Sequence, residues 1–139
     1  MNIPVAAAAL INSDGAVLVQ KRCAGRSMAG LWEFPGGKIE ADERPEIALV
    51  RELREELGII VAASDLNPVN FASAPLDGDH LILLLYICRK WTGNPSAIDA
   101  EVIQWVSINS LYALAMPPAD APLVESLARL LWLPTRQEQ

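Results

Sequence analysis

The stretch between residues 37 and 59 constrains this chain more than any other. Its sequence is GKIEADERPEIALVRELREELGI. From Pro45 to Leu57 the aliphatic residues recur every three or four positions, which is typical of an amphipathic helix. Pro45 suits the first turn of a helix, and Gly58 suits a C-terminal stop. The sequence therefore predicts a helix over residues 45–57 that ends at a glycine.

Three glutamates share one face of this predicted helix. Because each residue turns a helix by about 100°, Glu52 and Glu56 lie about 40° apart, and Glu55 lies about 60° to the other side of Glu52. Repulsion between like charges at this spacing costs roughly 0.2–0.5 kcal/mol per pair. A solvated acidic face is the ordinary interpretation of such a group. The alternative is a cation site, since crowded oxygen ligands on a rigid element suit Mg²⁺ or Mn²⁺.

The residues around the glutamates favour the cation site. Five residues separate Gly37 from Glu43, and seven more separate Glu43 from the Arg51-Glu52 pair. Seven fixed identities, each found at roughly one position in fifteen, would meet by chance on the order of once in 10⁸ windows. The seven residues are Gly37, Glu43, Arg51, Glu52, Glu55, Glu56 and Gly58. They resemble the signature of the Nudix hydrolase family and match it at every fixed position.

The resemblance points to the MutT-like branch of that family, which includes 8-oxo-dGTP and CTP pyrophosphohydrolases. It covers residues 1 to about 132 and is supported outside the signature by two segments. These are Leu31-Trp32-Glu33-Phe34 before the glycines and Pro117-Pro118-Ala119-Asp120 near the end. The implied fold class is α/β, namely the Nudix α/β/α sandwich, with a mixed β-sheet between helices. We expect a single Nudix hydrolase domain over residues 1–133 and a polar tail over residues 134–139.

The predicted elements follow the order β-β-β-α-β-β-β-α. Ile3–Ile11 is predicted as a buried strand, residues 12–15 as a hairpin turn, and Ala16–Lys21 as the returning strand. His80–Arg89 is predicted as a long central strand. The remaining elements are strands over 69–74 and 102–106, a short helix over 108–114, and a last helix that runs to about residue 131.

The resemblance implies hydrolysis of a nucleoside triphosphate to a monophosphate and pyrophosphate, as a step in nucleotide-pool sanitation and DNA repair. Divalent metals, Mg²⁺ with Mn²⁺ as a substitute, would neutralise phosphate charge and activate the attacking water. We assign Glu52 as the proton acceptor, with Glu55 or Glu56 as the next candidate. Arg51 would orient the glutamates together with Glu43. The assigned metal ligands are Gly37 through its carbonyl oxygen, Glu52, Glu55, Glu56 and Asp99.

Several further assignments leave alternatives open. Relatives carry an acidic metal ligand six residues before a strand tryptophan, which gives Asp99 when counted from Trp105, with Glu101 as the alternative. Arg22 and Lys38 are assigned to the substrate phosphates. Asp120 either caps the last helix or reads the nucleotide base, and the sequence supports both roles.

The base itself is also open. An ionised Asp120 only accepts hydrogen bonds, so it suits the N–H edge of guanine or the amino group of cytosine. We expect 8-oxo-dGTP or dGTP as the substrate. The alternatives are CTP, dCTP or 5-substituted dCTP. MutT enzymes that remove 8-oxo-dGTP often carry an aromatic and a basic residue just before the strand that starts here at His80. This sequence has Leu76 and Asp79 in that region, which weakens the case for an oxidised guanine. A nucleotide-binding sensor without turnover is the alternative from another class, and a nucleoside diphosphate derivative ranks last.

Composition excludes several other classes of protein. The net charge is −6 and the isoelectric point about 4.7, whereas a groove for a nucleic-acid polymer needs a basic surface. No basic region precedes the apolar run 3–11 and no apolar run reaches 18 residues, so we expect no signal peptide and no membrane span. We therefore expect a cytoplasmic monomer or homodimer. Cys23 and Cys88 are expected to be buried thiols, with one disulfide as the alternative.

Overall fold

The computed structural model describes residues 1–132, so the predicted tail over residues 134–139 lies outside the described residues. Within this range, no helix is both long and apolar enough to cross a membrane. The strands are β1 (Asn2–Leu10), β2 (Val17–Lys21), β3 (Trp32–Glu33), β4 (Gly36–Lys38), β5 (Asn67–Leu76), β6 (Asp79–Cys88) and β7 (Val102–Val106). The helices are α1 (Pro45–Leu57), α2 (Ile108–Leu111) and α3 (Ala121–Trp132), and a short 3₁₀ turn spans Ala63–Asp65.

The strands form two sheets. The first is a mixed sheet with the order β4-β1-β6-β5, in which β1 runs parallel to β6 and antiparallel to β4. The second is an antiparallel sheet with the order β3-β2-β7. The long strand β6 lies inside the first sheet, as predicted. The predicted order has one strand between β2 and the helix, whereas the structure has two short strands there, β3 and β4, on either side of Pro35.

The predicted hairpin between β1 and β2 is wrong. The turn itself forms, because the backbone N–H of Asn12 donates to the carbonyl of Ala16 at 3.1 Å. A single bridge between Ile11 and Val17 follows, and the two strands then part into different sheets. Both edges of β1 are already paired with β4 and β6, so β1 offers no free edge on which β2 could continue the pairing.

The alternating side chains of β1 separate two cores. Ala6 and Ala8 face α1, where they pack with Leu49, Leu53 and Leu57. The intervening alanines face the other side, where the core contains four residues of α3: Leu123, Val124, Leu127 and Ala128. Because β1 is buried on both faces, it carries small apolar residues at consecutive positions rather than alternating polar ones. The predicted α/β/α fold class is confirmed, with its strands divided between two sheets.

The helix α1 spans Pro45–Leu57, as predicted from its periodicity. Gly58 ends it in the left-handed conformation with a φ of 73°, and its N–H donates to the carbonyl of Arg54. At the other end, Arg44 occupies the N-cap with extended backbone angles and makes no capping hydrogen bond through its side chain. The first amides of α1 therefore lack the side-chain acceptor that serine, threonine or aspartate would provide.

We expect the Arg44→Ser variant to be more stable than the wild type by about 1 kcal/mol, because serine at this position can accept a hydrogen bond from the first turn. Arg44 is exposed, so the change leaves the core untouched. Urea unfolding followed by circular dichroism measures the difference. The matched control is Arg89→Ser, which removes an exposed arginine away from any helix start. Equal or lower stability of Arg44→Ser relative to this control would contradict the prediction.

Candidate active site

A single arginine on α1 contacts three of the four acidic residues of the predicted signature. Arg51 binds Glu43 through two hydrogen bonds of 3.0 Å and donates to Glu52 at 2.9 Å. Its contact with Glu55 is longer, at 3.5 Å, and it also donates to the carbonyl of Lys38 at 3.2 Å. Hydrogen bonds from Arg51, and then from the amide of Glu40, lower the pKa of Glu43. Arg51 therefore fixes α1 against the loop and strand that precede it.

The third glutamate of the helix face is held separately. Glu56 is buried, with 8% of its surface exposed, and its Oε2 accepts a hydrogen bond of 2.7 Å from Gln20 on β2. Burial raises the pKa of the Glu56 carboxyl, and the nearby charges of Glu52 and Glu33 raise it further. Negative charge is thus concentrated where the buried end of this face meets β2. A cation placed there would relieve that repulsion.

Gly37 lies directly beneath one of these carboxylates. A Cβ built on Gly37 would stand 2.3 Å from the Glu52 carboxyl carbon and 2.4 Å from its Oε2. The absence of a side chain at this position lets the Glu52 carboxylate approach the backbone of β4. The neighbouring Gly36 serves a different purpose, because a Cβ there would meet the backbone carbonyl of Ala6 at 2.1 Å.

These contacts predict opposite phenotypes for two adjacent substitutions. We expect Gly37→Ala to displace the Glu52 side chain and lower metal-dependent kcat about tenfold to a hundredfold, with little change in stability. We expect Gly36→Ala to destabilise the fold, because its methyl group meets the rigid backbone of β1. Turnover assays and thermal unfolding of both variants separate the two effects. A Gly37→Ala variant that turns over at the wild-type rate would contradict this role for Gly37.

A cavity of about 240 Å³ opens beside Gly37. It contains all three residues that were assigned to the substrate, since Arg22, Lys38 and Asp120 line it together with Gly37. Its remaining walls are largely apolar and include Phe34, Met28, Leu76, Leu81 and Leu83. Arg22 is anchored at the cavity wall by a 2.9 Å ion pair with Glu33 and by a 2.7 Å hydrogen bond to the carbonyl of Ser27.

Asp120 lies at this cavity immediately before α3. It is 6% exposed, and its Oδ2 accepts a hydrogen bond of 3.1 Å from the backbone N–H of Phe34. Within residues 1–132, no amide of the first turn of α3 donates to its side chain; instead, the backbone carbonyl of Asp120 accepts from Leu123. Burial raises the pKa of the Asp120 carboxyl to about 7, and the charge of Glu33 contributes to the rise.

Asp99 is held by an arginine that lies outside α1. Both of its carboxylate oxygens pair with Arg26 at 3.0 Å. The thiol of Cys23 donates a hydrogen bond of 3.3 Å to the backbone carbonyl of Asp99. Asp99 also lines a pocket of about 20 Å³ together with Gln20, Arg22 and Glu33. The Asp99 carboxylate is therefore paired with a positive charge of the chain itself. Its alternative, Glu101, is exposed.

The donor set fits a divalent cation. Glu52, Glu55 and Glu56 offer carboxylate oxygens on one helix face, and the Gly37 backbone approaches the Glu52 carboxylate closely. In the part of the chain that the structure describes, no three acidic, cysteine or histidine side chains stand in a ready-made metal geometry. The contacts described above account for this, because Arg51 engages Glu52 and Glu55 while Gln20 engages Glu56.

Comparison with known proteins identifies the family. The model of the NUDIX domain matches residues 1–127. The chain belongs to the Nudix family. It is 33% identical to the 8-oxo-dGTP diphosphatase of Escherichia coli K12 over 133 residues, which cover 92% of this chain and 98% of that protein. It is 37% identical to the CTP pyrophosphohydrolase of the same organism, with 88% of this chain and 90% of that protein covered.

Structural comparison agrees with this membership. The solution structure of the E. coli ORF135 protein has a TM-score of 0.85 at 34% identity and covers 97% of this chain and 94% of its own. A MutT structure from a study of Aliivibrio salmonicida and Vibrio cholerae has a TM-score of 0.77 at 32% identity, with 93% of this chain and 99% of its own covered. The predicted family, fold class and enzyme class are confirmed. This Nudix protein is a hydrolase of the MutT-like type.

Two residues of the site were not found from the sequence. Glu33 holds Arg22 at the cavity wall, and Gln20 holds Glu56. The signal that could have revealed Gln20 was its place in the apolar strand β2. There it points to the same side as Leu18, which is a core position against α1. A polar residue at such a position is buried only when it has partners, and those partners lie 13 and 36 residues away in the chain.

Proposed function

We propose that this Nudix hydrolase cleaves nucleoside triphosphates to monophosphates and pyrophosphate, with 8-oxo-dGTP or dGTP as its preferred substrate. The observation that carries the proposal is the continuity between two regions that meet at Gly37. On one side lies the cavity that contains Arg22, Lys38 and Asp120. On the other side lies the Glu52 carboxylate. A nucleotide whose base enters the cavity would extend its phosphates past Lys38 toward the glutamates of α1.

The chain's own residues supply most of the proposed chemistry. Arg22 and Lys38 bear positive charge at the cavity wall and bind phosphate oxygens. Glu52 accepts the proton of the attacking water, since it is the glutamate at Gly37 and its carboxylate is held in place by Arg51. Glu43 keeps the guanidinium of Arg51 in the orientation that this requires.

We propose Mg²⁺ as the cofactor, with Mn²⁺ as a substitute. When bound, a divalent cation neutralises charge on the phosphate oxygens and lowers the pKa of a coordinated water. The ligands proposed for it are Glu52, Glu55, Glu56 and the carbonyl oxygen of Gly37. Asp99 would join this set only after releasing Arg26, to which both of its carboxylate oxygens are bound.

The preference for guanine follows from the acceptors at the cavity. The Phe34 amide is already used by Asp120, and the other charged acceptor at the wall is Glu33. A ligand that presents N–H groups therefore complements Asp120, and the N1–H and N2–H₂ edge of guanine presents the most. The relatives named 8-oxo-dGTP diphosphatase are consistent with this choice.

A cytosine nucleotide is the second candidate, and a specific observation favours it. Leu76 lines the cavity near the start of β6, together with Pro75 and Leu81. That part of the wall is aliphatic and offers neither a stacking ring nor a positive charge to an oxidised purine. A cytosine would still donate its amino hydrogens to Asp120. The relative named CTP pyrophosphohydrolase is consistent with this alternative.

A substrate panel tests the proposal. Purified protein with Mg²⁺ is assayed on 8-oxo-dGTP, dGTP, CTP, dCTP, 5-methyl-dCTP and ADP-ribose, and pyrophosphate is separated from orthophosphate. We expect pyrophosphate release, with the highest kcat/KM for a guanine nucleotide. A cytosine nucleotide in first place would replace the proposed base with the second candidate. No release from any triphosphate, in Mg²⁺ or Mn²⁺, would contradict the proposed reaction and favour a nucleotide-binding sensor.

The proposed compartment is the cytoplasm, where free nucleotides are the substrates of such an enzyme. We also propose that residues 1–133 act as one domain. Both of its cores share strand β1, since Ala6 and Ala8 belong to one core while Ala7 and Ala9 belong to the other.

A further inference from the structure

A buried glutamine lies between the cavity wall and the glutamates of α1. Gln20 is 3% exposed, and its amide nitrogen Nε2 is 2.7 Å from Glu56 Oε2 and 3.3 Å from Glu33 Oε2. Its carbonyl oxygen Oε1 is buried, and it is the one buried side-chain atom without a hydrogen-bond partner within residues 1–132. Gln20 therefore spends both of its N–H donors on carboxylates, while its acceptor stays unused.

The orientation of this amide group follows from its surroundings. A carboxylate accepts hydrogen bonds, so an amide between two carboxylates must turn its two N–H groups toward them. The reverse orientation would place the carbonyl oxygen of Gln20 against two negatively charged groups. In this orientation the amide group of Gln20 forms a bridge between Glu33 and Glu56.

The bridge continues to the substrate side. The carboxylate of Glu33 accepts from Gln20 through Oε2 and from Arg22 through Oε1, at 3.3 and 2.9 Å. Arg22 and Glu33 both line the cavity. At the other end, Glu56 belongs to the acidic face of α1. A continuous series of polar contacts thus runs from the cavity wall through Gln20 to the proposed cation ligands.

We propose that Gln20 is a positioning residue that couples occupancy of the cavity to cation binding by the glutamates of α1. A phosphate that binds Arg22 would weaken the ion pair between Arg22 and Glu33. Because Glu33 and Glu56 share the two donors of one amide group, a change at Glu33 changes how Gln20 holds Glu56. Binding of nucleotide and cation should then be coupled, and by linkage each should change the affinity of the other by the same factor. The identity of the cavity ligand rests on the proposed function.

The first test measures Mn²⁺ affinity of the nucleotide-free protein by electron paramagnetic resonance. The variants are Gln20→Met, which keeps the length of the side chain but removes both donors, and Glu33→Gln, which leaves Gln20 intact. The matched control is Gln104→Met, at an exposed position that pairs with Val19 on the neighbouring strand β7. We expect Gln20→Met to weaken Mn²⁺ binding about tenfold or more, as loss of a residue that orients a ligand does.

The same measurement with saturating dGMP tests the coupling. In the wild type we expect dGMP to tighten Mn²⁺ binding, and in Gln20→Met we expect this factor to fall toward one. Glu33→Gln should also reduce the factor, although the hydrogen bonds of Glu33 go to Gln20 and Arg22 and not to a glutamate of α1. Combined in one protein, the two substitutions should reduce the factor by less than the product of their separate effects. A residue that merely supported the fold would not produce this pattern.

The outcomes are distinct. Mn²⁺ affinity within twofold of the wild type in both Gln20→Met and Glu33→Gln would overturn the proposal, as would an unchanged coupling factor in the presence of dGMP. Thermal unfolding of each variant verifies that it is folded, and Glu33→Gln decides the question if Gln20→Met is not. Failure of dGMP to bind the wild type would count against the proposed base, while the Mn²⁺ affinities would still decide the role of Gln20.

Discussion

We expect the Glu52→Gln variant to lose at least a factor of about 1,000 in kcat, which corresponds to roughly 4 kcal/mol of activation free energy. Glutamine has the shape of glutamate but cannot take a proton from water at neutral pH. The Glu52 side chain is 16% exposed, its carboxylate lies against Gly37, and Arg51 fixes it at 2.9 Å. The variant should therefore keep its fold while losing the group that accepts the proton. Steady-state kinetics at saturating Mg²⁺ and substrate measures the effect.

Two further variants make this measurement specific. Glu55 is 60% exposed, and its nearest contact with Arg51 is long, at 3.5 Å. Glu55→Gln should therefore lower kcat less than Glu52→Gln does. Glu125→Gln on α3 is the control for loss of one carboxylate outside the site. If Glu52→Gln retained more than a tenth of the wild-type kcat, the proton acceptor would have to be sought at Glu55 or Glu56.

The second large effect concerns stability. We expect the Asp120→Asn variant to be more stable than the wild type at pH 8, and the advantage to disappear toward acidic pH. Asparagine can still accept the hydrogen bond that the Phe34 amide donates at 3.1 Å. It avoids the burial of a negative charge, which raises the pKa of Asp120 to about 7. Urea unfolding at pH 5 and pH 8 measures both free energies.

The sign of this pH dependence follows from proton linkage. In the unfolded chain the Asp120 carboxyl has the ordinary aspartate pKa of 3.8, whereas in the folded protein its pKa is about 7. Between these values the unfolded state binds fewer protons than the folded one. Stability of the wild type therefore falls as pH rises through this window, and Asp120 contributes about 2–3 kcal/mol to the fall between pH 5 and pH 8.

The control for this experiment is Asp42→Asn, which changes an exposed aspartate and should leave the pH dependence unaltered. If Asp120→Asn followed the wild-type stability at both pH values, the pKa of Asp120 would not be raised in the folded protein. The same variant connects stability to substrate choice, because an amide offers the base a donor as well as an acceptor.

Local sequence patterns predicted the active-site helix well. The apolar period, Pro45 and Gly58 define α1 without reference to the rest of the chain, and the observed bounds agree with the prediction. The resemblance to the Nudix signature implied that Gly37 and Glu52 lie together, and the structure shows a close approach between them. In each case the determining contacts lie within one short stretch, so the sequence alone carries them.

Pairing between distant strands was less predictable. The turn after β1 has the sequence of a hairpin, yet β1 pairs with β4 on one edge and with β6, over nine register positions, on the other. The residues of a turn act over about four positions, so they carry no information about a competing strand some 70 residues away. The partner of Asp120 was missed for the same reason, since the Phe34 amide lies 86 residues distant.

The position of Arg51 also bears on how the fold forms before a metal ion is bound. Its guanidinium lies among three carboxylates and a backbone carbonyl, with 29% of the side chain exposed. The acidic face is thus supplied with a permanent internal counter-ion before any external one arrives. With these contacts, α1 can dock on β4 without a bound divalent ion. A divalent ion that binds afterwards would replace Arg51 as a partner of the glutamates without a change of fold. Its effect on the unfolding temperature should therefore be small compared with its effect on turnover.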